Sequence, residues 1–141
     1  MKNKSTLALI ETVIMILVFA LAAGLCLQAF AGAESTSRRS RELSRAVTAA
    51  QNAAETVKAC RGDFAAAAEM LGGKADSEAW TVEYGDEWNI LPAGERGAFR
   101  TEIRRETSAV PGLGSAAVTV TGDEGTVFEL AVSWQEGVEN G

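Results

Sequence analysis

One run of the chain limits every fold open to it. Residues 12–33, TVIMILVFALAAGLCLQAFAGA, are 22 consecutive positions without a charge in a chain of 141 residues. The core of a small water-soluble domain has little use for an apolar stretch of that length. A helix of ~20 apolar residues, rising ~1.5 Å per residue, crosses the ~30 Å hydrocarbon layer of a bilayer. Lys2 and Lys4 give the run a short positive leader over 1–6, and the span itself reads as 7–33. Glu11 stands just before the uncharged stretch. A carboxylate there is costly unless it is paired, protonated, or close enough to the interface to stay wet.

The segment after the run continues as helix. From Glu34 to Ala59 there is neither proline nor glycine, and alanine, arginine and glutamate favour helix. Leu43, Ala46, Val47, Ala50, Ala53, Ala54 and Val57 recur at three- and four-residue steps, which predicts one narrow apolar stripe on an amphipathic helix over 34–61. Cys26 and Cys60 are 34 residues apart, roughly 51 Å along such a helix. They cannot form a disulfide in one chain, because that needs Cα atoms within about 7 Å.

The rest, 62–141, is acidic, and the net charge of the whole chain is −6. An acidic domain argues against a nucleic-acid partner, which calls for clustered Lys and Arg. The chain has no histidine, so the commonest general base and metal ligand is missing. No nucleophile is paired with a base, so the sequence reads as non-enzymatic, with no cofactor. Asp63 caps a short helix, FAAAAEML, and Gly72 and Gly73 end it. Beyond them the spacing changes to period two at Trp80–Tyr84, Phe99–Arg104, Ala116–Thr121 and Val127–Trp134. The stretch WNIL at 88–91 predicts a short edge strand. Gly122-Asp123-Glu124-Gly125 predicts a hairpin, and Pro111-Gly112-Leu113-Gly114 a connection between strands. The fold class is therefore α+β: a long N-terminal helix, half transmembrane and half amphipathic, packed on a small antiparallel sheet.

The stretch LALIETVIMILVFALAAGL at 7–25, in this setting, resembles the N-terminal helix of the type IV pilin and type II secretion pseudopilin family. The resemblance implies a pilin-like subunit with Leu7 as the first mature residue and Glu11 as the fifth. In that family the glutamate compensates the free amine of the neighbouring subunit during filament assembly, so Leu7 and Glu11 are the candidate assembly residues. The family's partners would follow: other pilin-like subunits, the membrane, and a prepilin peptidase cutting between Thr6 and Leu7. Thr6 stands where the family has glycine, so cleavage and retention of the leader are both open. The resemblance implies a single-pass protein of the cytoplasmic membrane with an extracytoplasmic head, or a subunit of a cell-surface filament. Arg38, Arg39, Arg41 and Arg45 after the span, against Lys2 and Lys4 before it, argue for the reverse orientation.

Two other readings stay open. One is a single-pass anchored binding domain that forms no filament. The other is a secreted domain released by signal peptidase after Ala31 or Ala33, where small residues are spaced for that enzyme. Ala20 and Gly24 have the small-xxx-small spacing of packed membrane helices, which is also ordinary for an alanine-rich span. Some pseudopilin heads hold calcium. By that likeness Asp86-Glu87 and Asp123-Glu124 could meet at one sheet edge as oxygen ligands, although acidic turns are commonly just solvated.

Overall fold

Helix α1 runs from Lys2 to Ala59 without interruption in a computed structural model that describes residues 2–137. The contacts divide the chain into two units, one up to Ser40 and one from Arg41 onwards. The first unit is helix throughout its described residues, and from Asn3 to Arg41 every side chain is exposed. Among the described residues it is the one segment long and apolar enough to cross a membrane.

The second unit holds the last turns of α1, then α2 (Phe64–Leu71), β1 (Lys74–Ala75), β2 (Ala79–Tyr84), β3 (Phe99–Glu106), β4 (Leu113–Gly122) and β5 (Gly125–Gln135). The five strands form one antiparallel sheet in the order of the sequence, β1 to β5. Such an order needs only short connections, and Asp123-Glu124 closes the tightest of them between β4 and β5.

One face of the sheet is the core. Trp80, Val82 and Tyr84 of β2, Thr101 and Ile103 of β3, Ala116, Val118 and Val120 of β4, and Val132 and Trp134 of β5 are buried there. Against them lie Ala46, Ala49, Ala50, Ala53, Ala54 and Val57 of α1, with Phe64 and Ala67 of α2. The helix contributes small side chains and the sheet large ones, so the two surfaces interlock at close range. The buried helical positions follow the expected stripe with three differences, one of them Val47, which is only half-buried. Leu43 is 44% exposed, because it lies a turn before the first buried residue, and Ala49 is buried although the expected stripe omits it.

The end of α1 is built by a Schellman motif: Gly62 N–H donates to Val57 O at 2.9 Å and Arg61 N–H to Lys58 O at 3.1 Å. Arg61 holds the left-handed position at φ 51, which glycine usually takes, and Gly62 follows at φ 79. The Gly62 carbonyl accepts a bond of 2.7 Å from Arg105. The same guanidinium lies 4.7 Å from the Phe64 ring centroid. Arg105 therefore faces the core side, unlike Arg100, Glu102 and Arg104, which alternate with the buried Thr101 and Ile103. A Cβ on either Gly62 or Gly114 would overlap the Trp134 indole, so the ring is held between two glycines.

Asp63 caps α2 as expected, its Oδ1 accepting from Ala66 N–H at 3.1 Å. The expected strand at 88–91 is not one. Only Ile90 bridges to Tyr84, and Leu91 N–H donates to Glu83 O at 2.9 Å. Trp88 at φ 63 turns the chain there, and Pro92 has no N–H to extend a ladder. The Trp88 ring stacks on Phe99 at 4.1 Å, and that stacking holds an unfavourable backbone for a bulky residue. Leu113 and Gly114, expected in the connection, belong to β4.

Trp80 fills the middle of the core at 0% exposure and donates from Nε1 to Gly72 O at 2.9 Å. Trp80→Ala is expected to lower the stability of the head by about 3–5 kcal/mol. Urea unfolding of the detergent-solubilised protein, followed by circular dichroism of the sheet, measures this.

Candidate functional site

The apolar surface of α1 is the part of the molecule that most needs an explanation. Leu27, Phe19 and Phe30 are 71%, 77% and 72% exposed, although burying one such side chain is worth about 1.5–3 kcal/mol. Around Gly24 and Gly32 the space is open, so no described residue fills the small-residue positions. Thr12 and Thr36 turn their hydroxyls back onto the helix, donating to Ala8 O at 2.9 Å and Gly32 O at 3.0 Å. Their hydroxyl protons are thereby satisfied inside the helix.

Glu11 lies within this apolar surface. Leu7, Ile10, Glu11, Ile14 and Met15 line one shallow groove, following the three- and four-residue steps of a single helix face. Leu7 and Met15 are one turn before and one turn after the carboxylate. No described residue pairs with the Glu11 side chain, which is exposed. Leu7 and Glu11, the two candidate assembly residues, thus share a face. Thr6 lies within the helix, so the Thr6–Leu7 bond is helical rather than part of an extended leader.

The four acidic residues of the two turns are exposed. Among the described residues, no three or more His, Cys, Asp or Glu side chains are grouped as a metal cluster would need, so the two turns are not brought together as one. Cys26 is exposed and Cys60 half-buried, and both are free thiols.

The head carries a second feature that sequence did not reveal. A groove of about 470 Å³ on the open face is lined by Lys74, Asp76, Glu83, Arg96 and Arg100 among others. Glu83 accepts from Arg100 Nε at 2.6 Å and from Gly97 N–H at 3.1 Å, which ties the 97 turn to β2. Asp76 Oδ1 accepts from the backbone N–H groups of Glu78 and Ala79, each at 2.8 Å. These two bonds hold its carboxyl below the ordinary value of 3.8, helped by the charges of Arg104 and Lys74. No sequence signal marks this groove, because its residues come from separate elements.

A carboxyl depressed in the folded state stabilises that state fully above its unfolded value and loses the effect as pH falls through the folded one. The Asp76 contribution to the turn between β1 and β2 is therefore complete well above pH 3.8 and is lost as pH falls below it, through the folded-state midpoint. A carboxyl-detected NMR titration should give Asp76 a midpoint below that value, and Ala79→Pro, which removes one donor, should raise it.

Comparison with protein-family models, with curated proteins and with solved structures gave no match, so the functional reading rests on this chain's own residues.

Proposed function

We propose that the chain is a membrane-anchored, pilin-like structural subunit, whose apolar helix holds it in the bilayer and then packs against the same helix of sister subunits. One observation carries this reading: an exposed apolar helix surface that no described residue covers, with a carboxylate, Glu11, that no described residue pairs, in one of its faces. Lipid satisfies the apolar side chains and leaves the carboxylate without a partner. Packing against sister helices satisfies both, provided that a cation of the neighbour comes within reach. The amine of a processed Leu7 is such a cation. If the leader stays, Lys2 or Lys4 carries the charge instead. The filament is a type IV pilus or a secretion-type pseudopilus, and the acidic head faces away from the cytoplasm.

A second reading has its own support. The core of the head draws on nothing before Arg41. A head released from its anchor would thus keep every buried contact.

Glu11→Gln should leave membrane insertion unchanged and lower oxidative crosslinking between copies through Cys26 several-fold. Equal crosslinking of variant and parent would sink the filament reading. Mass spectrometry of the mature N-terminus separates the alternatives. A start at Leu7 indicates prepilin-type processing, an intact Met1 a retained leader, and a start at Glu34 a released head.

A further inference from the structure

The two edges of the head sheet match one another. Cross-strand partners place Lys74, Thr81, Glu102, Thr119 and Glu129 in one row across the sheet, on its open face. The next row, on the core face, runs Ala75, Trp80, Ile103, Val118, Leu130. One edge therefore ends in a cation over a half-buried alanine, the other in an anion over a half-buried leucine.

The backbones match as well. Asp76 N–H donates to Ala79 O, so Ala75 and Trp80 are a non-hydrogen-bonded pair and the Ala75 amide and carbonyl point away from β2. Glu136 N–H donates to Gly112 O, which makes Leu113 and Gln135 a non-hydrogen-bonded pair. Counting by twos along the regular part of that ladder turns the backbone groups of Glu129 and Ala131 outward from β4. Strands β1 and β5 run in the same direction, because four antiparallel steps separate them. β5 is an 11-residue edge with no proline or lysine to protect it.

We propose that heads of two copies join edge to edge, β5 of one beside β1 of the next, in parallel and with Ala75 opposite Leu130. In that register Ala75 N–H donates to the Glu129 carbonyl of the adjoining copy, and Ala131 N–H of that copy donates to the Ala75 carbonyl, the two bonds of a parallel ladder. Lys74 meets Glu129 on the open face, and Ala75 meets Leu130 on the core face. The occupant is a second copy because the charge, the apolar partner and the backbone phase agree at the same position. The join is head-to-tail, so it repeats along a filament rather than closing as a dimer. It is short and weak alone, and copies held together by their spans supply the local concentration that it needs. The inference rests on the side-by-side packing proposed above.

Opposed residues in such a ladder lie ~4.8 Å apart, within disulfide reach. With Cys26→Ser and Cys60→Ser in place, the membrane-embedded protein carrying both Lys74→Cys and Glu129→Cys should oxidise to a ladder of dimers, trimers and higher species. Either cysteine alone should give monomer. Dimers from a single variant mean a two-fold contact and overturn the proposal. No ladder, while Cys26 still crosslinks in the parent, overturns it and leaves span packing intact. Loss of both signals removes the side-by-side reading and this inference with it. In the parent background, Lys74→Glu should weaken crosslinking of heads by an amine–carboxyl coupling reagent, and adding Glu129→Lys should restore it.

Discussion

A helix can lie close to a sheet only if one of the two surfaces is nearly flat, and here the helix is the flat one. Five buried alanines and one valine on the last turns of α1 face Trp80, Ile103, Val118 and Val120. A leucine at Ala50 or Ala53 would push the sheet outward and leave these large side chains half-filled. The position of every other element follows from this fit. The sheet must present its large residues on one face, so its strands alternate. The helix must stop where the sheet ends, so a turn and α2 follow at once.

Alternation made most of the head legible. A strand buried on one face alone shows its period in any sequence, and four of the five strands did so. The same holds for Asp63, whose capping role is local, and for the hairpin at Asp123-Glu124. Where the signal was weak, the reasons are physical. Strand β1 has two residues and therefore no period. The 88–91 stretch has the composition of a strand, but Trp88 gains more by stacking on Phe99 than its backbone loses. Alanine carries little hydrophobic signal, so Ala49 escaped the expected stripe. The role of Arg105 could not be read, because nothing local announces that the Gly62 carbonyl, 43 positions away, needs a donor.

The candidate site was readable in a different way. Leu7 and Glu11 share a face because they are four residues apart on a helix, and no tertiary fold is needed to know it. The groove around Lys74, Asp76, Arg96 and Arg100 depends on the sheet being assembled, and no linear pattern contains it. The same is true of the row that links Lys74 with Glu129, which exists only as a sum of four registers.

The indole of Trp134 between Gly62 and Gly114 has a consequence for how the protein is made. Gly62 and Trp134 are 72 positions apart in sequence, so the surface that seals the stop of α1 leaves the ribosome long after the helix itself. Until the last strand arrives, the helix end has its own turn but no lid, and contacts of such range form late. A chain still short of its last strand would thus hold an unfinished head, its large apolar side chains in need of protection by whatever binds nascent chains.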